Sequence, residues 1–283
     1  MLCSRVVVAL AALSLALPAL AQDAGDDWDV RRERDLMVAD AIFDSGIGLG
    51  VRCQDGGFGV IIVGLPPMTS GIRRTLGVSF GDRDPSPQTW ITTSNPRVAL
   101  AERPAHFARR LREGGAMNLV VPDGAGPGRN LRYVVDLPPS RTAIDSVMAE
   151  CRIPVDDPRD ALLSGADATS LPPGIAWDRP PRAEFPSKAW DNRFASGMAV
   201  VSCVTQDDGE LDDCIAESEH PMGVGFGRAA VRGARRASVK RSDGSEGPIG
   251  RGYIIFAVTF GTIEDAPGTG ATRLSDQRDR AGN

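Results

Sequence analysis

The chain has two histidines, two tyrosines and an aromatic share of only 5%, and several chemistries are missing with them. Neither His106 nor His220 stands at motif spacing from a nucleophile or an acid, so no hydrolytic triad is read. No Cys-x-x-Cys occurs, which removes the close thiol pairs of a thioredoxin-like redox centre or a zinc knuckle. Gly223-Val-Gly225-Phe-Gly227 resembles a phosphate loop until position 228, where a dinucleotide fingerprint needs glycine and Arg228 stands. Around Asp207–Asp213, an EF-hand register with Gly209 sixth puts Val204 first and Ile215 twelfth, where oxygen ligands are required. No catalytic, cofactor-binding or metal-binding residue is assigned, no cofactor is expected, and the chain is read as not an enzyme. Charge of one sign is also scarce: 32 basic against 37 acidic residues give a net charge of -5, so no overall pull towards nucleic acid exists. Trp28, Trp90, Trp177 and Trp190 are dispersed and offer no stacking platform for single strands.

The 283 residues suffice for one large or two modest domains, and two are expected. Hydrophobic residues at 42% and charged residues at 24% are those of a globular protein. Thirty-two glycines and 21 prolines imply many turns and short elements, which favours β-rich structure. At the N-terminus, Arg5, the apolar run Val6 to Leu17, Pro18 and Ala19-Leu20-Ala21 follow the order of a secretory signal. The run is too short for a spanning helix, which needs roughly 20 apolar residues, so residues 1–21 are read as a signal peptide cleaved before Gln22. Four cysteines then remain in an oxidising compartment, where disulfides are the default.

From Asp35 to Leu65 the pattern predicts an antiparallel meander, with Asp55-Gly56-Gly57 as a hairpin signal. Further strands are expected at Arg73 to Phe80, Gln88 to Thr93, Met117 to Val121 and Leu131 to Leu137. Helices are expected at Ala105 to Glu113 and at Ser140 to Cys151, where Ser140 can cap and Ile144, Val147, Met148 and Cys151 share a face. A Cys53–Cys151 bridge would tie this closing helix to an early strand. Residues 27–153 thus form a β-rich exported domain of unassigned function. Residues 154–182 read as a Pro-rich linker and 263–283 as a disordered tail.

Residues 183–262 form the second domain. Gly197 to Thr205 and Leu211 to Ser218 read as strands joined by a two-residue turn at Asp208-Gly209. Opposed residues then sum to 417, which places Cys203 opposite Cys214 for a cross-strand disulfide. Phe226 to Arg236 is an amphipathic helix with Phe226, Ala229, Ala230 and Ala234 on one face. A last strand follows at Gly252-Tyr253-Ile254-Ile255-Phe256-Ala257-Val258-Thr259-Phe260, completing a β-β-α-β order within an α+β protein. Residues 184–260 resemble the TonB C-terminal domain family. The match runs through Phe185-Pro186 with Ala189, the Gly197 strand, Cys203, Asp208-Gly209, Cys214, Ser218-Glu219, Pro221, Gly223 and the Gly225-Phe226 entry to the helix. The resemblance implies a periplasmic module whose last strand, here Gly252 to Phe260, pairs with a short segment of an outer-membrane receptor.

The leading expectation is therefore a periplasmic interaction protein whose C-terminal module binds an extended peptide of a periplasmic or outer-membrane protein by strand addition. A second reading keeps residues 6–21 in the inner membrane, in an energy transducer for outer-membrane receptors. A third buries the final strand in a homodimer. Arg228, Arg232, Arg235, Arg236, Lys240 and Arg241 form a basic set that could meet anionic lipid headgroups, polysaccharide or an acidic protein face. The seven acidic residues between Asp207 and Glu219 favour a plainer expectation, intramolecular pairing with that set.

Overall fold

A computed structural model describes residues 28–68, 71–162 and 168–261. The signal segment 1–21 with its cleavage point, and the tail 263–283, lie outside them. The protein is α+β, mostly sheet with a few short helices.

The first unit comprises β1 (Asp29–Glu33), β2 (Leu36–Ile42), β3 (Gly48–Gln54), β4 (Gly57–Val63), β5 (Arg73–Phe80), β6 (Ser86–Thr92), β7 (Ala99–Ala101), α1 (Pro104–Leu111), β8 (Gly115–Val121), β9 (Leu131–Leu137) and α2 (Ala143–Glu150). They build one antiparallel sheet in the order β1-β2-β3-β4-β7-β6-β5-β8-β9. The expected meander is present, and its β3–β4 turn follows from residue chemistry: Asp55 and Gly56 both take positive φ, as a type I′ hairpin requires. Period-2 alternation sends Leu49, Val51 and Cys53 of β3 and Val60 and Ile62 of β4 to one face, where they join Phe107, Leu111, Ile144, Val147 and Met148 of the two helices in a single core. The sheet's ends approach each other, since the Trp28 indole N–H donates to the Pro138 carbonyl at 3.1 Å.

Both expected helices form, each shorter than its sequence pattern by a few end residues. Pro104 opens α1, where its missing N–H costs nothing, and Gly114 at φ 72° ends that turn of chain. Ser140 does cap α2, its Oγ accepting the Ile144 N–H at 3.1 Å. Arg112, at the C-terminal end of α1, clamps Asp145 in the first turn of α2 with two hydrogen bonds of 2.7 and 2.8 Å. Each charge sits at the helix end whose dipole favours it. Cys53 and Cys151 are bonded, with Cα atoms 5.5 Å apart across 98 residues of chain.

The second unit contains more than β-β-α-β. Residues 154–182, expected as a linker, carry α3 (Arg159–Leu162) and β10 (Ile175–Arg179). Beyond them come α4 (Ser187–Asp191), β11 (Gly197–Thr205), β12 (Leu211–His220), α5 (Phe226–Ala234), β13 (Ser238–Arg241) and β14 (Gly252–Phe260). The prolines flanking 174–179 conceal a short strand whose alternate residues Ile175 and Trp177 are apolar. β10 pairs with β13, and Trp177 meets Phe256 edge-on at 5.0 Å. Three strands in the order β12-β11-β14 form the main sheet, with α5 across one face.

The β11–β12 turn also differs from expectation. Thr205 pairs with Leu211, Gln206 and Glu210 are joined by a backbone hydrogen bond, and Gly209 at φ 83° closes a three-residue loop. Residues near the turn therefore sum to 416, a bulge at Asp213, φ 46°, restores 417 at Ser202–Ile215 and Val201–Ala216, and a second shift gives 418 from Val200–Ser218 onwards. The bulge brings Cys214 to Cys203, Cα atoms 4.1 Å apart, and the disulfide forms as expected.

The two units pack on each other. On the outer face of the large sheet Ile61, Leu100 and Ile91 lie in one cross-strand row over β4, β7 and β6. Met198, Val200 and Ile255 of the small sheet close onto that row. The Ser218 hydroxyl adds a 2.8 Å hydrogen bond to the Glu102 carbonyl, and Met222 lies over Gly57 and Gly59.

Because the Cys53–Cys151 loop is long and the Cys203–Cys214 loop spans only 11 residues, serine replacement of the first pair should cost about 4 to 5 kcal/mol and of the second about 3 kcal/mol. Urea unfolding midpoints of the two double variants measure this, and the first pair is expected to give the larger loss.

Candidate partner-binding edge

β14 is held by β11 on one side, and among the described residues no strand pairs with its other side. Its register with β11 runs without interruption from Gly197↔Phe260 to Thr205↔Gly252. Even-numbered side chains Ile254, Phe256, Val258 and Phe260 enter the core under α5, while Tyr253, Ile255 and Ala257 meet the junction with the first unit. Both faces are thus anchored, and the strand's exposed element is its backbone. The Ala257 N–H points away from β11, donating to the Ala168 carbonyl at 3.1 Å. By strand alternation, the N–H and C=O groups of Tyr253, Ile255, Ala257 and Thr259 form the outer row. Among the described residues, no backbone hydrogen bond reaches the outer groups of Tyr253, Ile255 or Thr259.

The edge is therefore real but not bare. Ala168, 2% exposed, covers the middle of β14 and packs beside Ile255. Nothing in the sequence marked this residue, which lies in the stretch expected as a linker. Near Phe260, at the far end of the strand, aromatic rings are stacked edge to edge. Phe185 contacts Phe260, Phe226 and Trp190 at centroid distances of 6.3, 5.4 and 6.1 Å. Gly197 is required here, because any side chain at that position would overlap the Phe226 ring.

A cleft of about 970 Å3 lies between α1 of the first unit and the α3 segment, lined by residues including Phe80, Trp90, Arg103, His106, Arg109 and Asp160. Much of its charge is engaged internally. Arg109 grips Asp160 with bonds of 2.5 and 2.7 Å and donates to the Pro154 carbonyl at 2.9 Å. His106 is 3.2 Å from the same carboxylate, and Arg159 pairs with Asp157 at 2.9 Å. Burial pushes the Asp160 carboxyl up, but the hydrogen bonds from Arg109 and His106 outweigh it and hold it well below the usual carboxylate range. An acid held ionised beside the Arg109 guanidinium cannot serve as a proton donor near neutral pH. The cluster instead fastens the chain after Ile153 to α1, and His106 belongs to it. His220 lies at the junction, where burial and nearby Arg52 push its imidazole below the ordinary value.

Comparison with known proteins adds little. No family model matches the chain, and no curated protein matches it. Among solved structures, the solution NMR structure of Pseudomonas aeruginosa TonB CTD matches with 20% sequence identity and a TM-score of 0.26, over 33% of this chain and 90% of that one. Among the described residues no helix is long and apolar enough to cross a membrane, and no group of three or more His, Cys, Asp or Glu could hold a metal ion.

The basic set does not pair with the acidic hairpin as expected. Lys240 meets Asp178 and Arg241 meets Asp243, at 3.6 and 3.7 Å. Glu219 spends its carboxylate on the start of α5, accepting the Gly227 N–H at 2.6 Å. Arg228, Arg232, Arg235 and Arg236 face solvent.

The Arg109–Asp160 contact gives a pH signature. A depressed carboxyl stabilises the folded state above its unfolded pKa, about 3.9, and loses that contribution as pH falls through the lower folded value. Asp160→Asn should cost about 2 kcal/mol at pH 7, as expected for hydrogen bonds to a charged group. Urea unfolding at pH 7 and at pH 3 checks it: the gap between wild type and variant should narrow at the lower pH.

Proposed function

We propose that the protein is a non-enzymatic interaction protein of the periplasm that binds an extended segment of a periplasmic or outer-membrane protein as an added strand along β14. The observation that carries this reading is the outer backbone row at Tyr253, Ile255 and Thr259, on a strand whose side chains are anchored on both faces. A fixed edge presents its donors and acceptors without an ordering cost, and each backbone bond formed contributes about 0.5 to 1.5 kcal/mol net. Flanking side chains would select the sequence of the ligand, while the backbone supplies affinity. Export is supported by the Arg5 to Ala21 segment and by two disulfides, which persist in oxidising compartments.

Proline at an outward position separates strand addition from folding. Thr259→Pro removes an N–H that β11 does not use, so the unfolding midpoint should shift by only a few degrees. A photo-crosslinking residue at Tyr253, in Gram-negative cells expressing the chain, should join a discrete envelope protein in the wild type and lose that product when Thr259→Pro is added. Unchanged crosslinking in the folded Thr259→Pro protein would contradict strand addition.

A further inference from the structure

The stripe of arginines on α5 has no internal explanation. Arg228 and Arg232 on α5, Arg235 at its C-cap and Arg236 just beyond stand at i, i+4, i+7 and i+8, all exposed, while Phe226, Ala229, Ala230 and Ala234 of the helix are buried. Among the described residues, the ion pairs of this unit use Arg179, Lys240 and Arg241 instead. Arg236 donates only to the Arg182 carbonyl, at 3.1 Å. Like charges at i, i+4 destabilise an isolated helix, and among the described residues no ion pair within 4 Å engages these four. The concentration of positive charge is the more notable in a chain whose net charge is -5.

Trp190 supplies the second feature. Its ring is 71% exposed on α4, whereas Trp28 and Trp90 are 3% and 1% exposed. It is supported at one edge by Phe185, which packs on Phe226 at the start of α5. The two elements adjoin at the start of α5, where a Cβ placed on Gly225 would lie 3.5 Å from Pro186 and 3.8 Å from the Arg228 guanidinium. A projecting indole next to a row of cations is the pairing that peripheral proteins place at a lipid headgroup layer. The ring takes the interfacial depth and the arginines meet anionic phosphates.

We propose that the α4–α5 face, with Trp190 and Arg228, Arg232, Arg235 and Arg236, docks the protein on an anionic bilayer surface. An acidic protein partner would need a pocket for the indole, while a bilayer accepts it without one. The proposal is independent of the β14 edge, since the arginines lie on the solvent side of the helix that covers the sheet's other face.

The test uses the full chain with phosphatidylglycerol-containing vesicles and with pure phosphatidylcholine vesicles, followed by co-sedimentation and tryptophan emission. The apolar N-terminal segment would bind both compositions alike, so the difference between them is the readout. Preferential binding to the anionic vesicles, with a blue shift that raised salt reverses, is expected. Trp190→Ala should remove the blue shift. Arg232→Glu combined with Arg235→Glu should weaken anionic-vesicle binding by at least about 25-fold, at roughly fivefold per arginine, with an unchanged unfolding midpoint. Equal binding to both vesicle types, absence of binding, or full retention by the folded charge-reversal variant would overturn the proposal, as would displacement from vesicles by soluble polyglutamate at matched ionic strength.

Discussion

β11 is buried along its entire length, and the arrangement of the second unit and its junction with the first follow from that constraint. A strand with apolar side chains on both faces must be covered twice. Ala199, Val201 and Cys203 lie under α5, while Met198 and Val200 close onto the Ile61–Leu100–Ile91 row of the large sheet. Both lateral sides of β11 are also occupied, by β12 and β14. Removing that second cover would expose a continuous apolar face, so the first unit is structurally part of the module that carries the candidate edge. An added strand would consequently lie along a platform built by both halves of the chain.

The same constraint explains why the backbone is what β14 can offer. Its side chains are committed to two cores, and only the outward N–H and C=O groups of alternate residues remain. Ala168 uses one of them at the strand's midpoint. A peptide spanning Tyr253 to Thr259 would therefore have to displace this intramolecular contact, which sets a competitor for any ligand. Charge is handled differently in the two units. In the first unit Arg109 and Arg112 bond Asp160 and Asp145, whereas in the second the arginines of the α5 row face water.

Local chemistry was the legible part of the sequence. The β3–β4 hairpin, the Ser140 contact to α2, the amphipathic face of α5 and the Cys203–Cys214 disulfide follow from short patterns, whereas Cys53–Cys151 follows from the division of four cysteines between two domains. For Cys203–Cys214 the expected pairing is correct although the turn is not: the three-residue loop shifts the register by one, and the bulge at Asp213 shifts it back. β10 was hidden because its prolines dominate the composition while only Ile175 and Trp177 carry a strand period. The docking of the units left a signal in Val60-Ile61-Ile62, a continuous apolar run that implies burial on both faces of β4. Ala168 and the exposure of Trp190 depend on tertiary position and carry no local signature.

Amide hydrogen exchange along β14 in the intact protein tests the central claim most directly. The account predicts that Tyr253 and Thr259, half-exposed with outward N–H groups, exchange fast, while Ile254, Phe256, Val258 and the Ala168-bonded Ala257 are protected. Protection of Tyr253 and Thr259 equal to that of their inward neighbours would show the edge already occupied and would contradict the account.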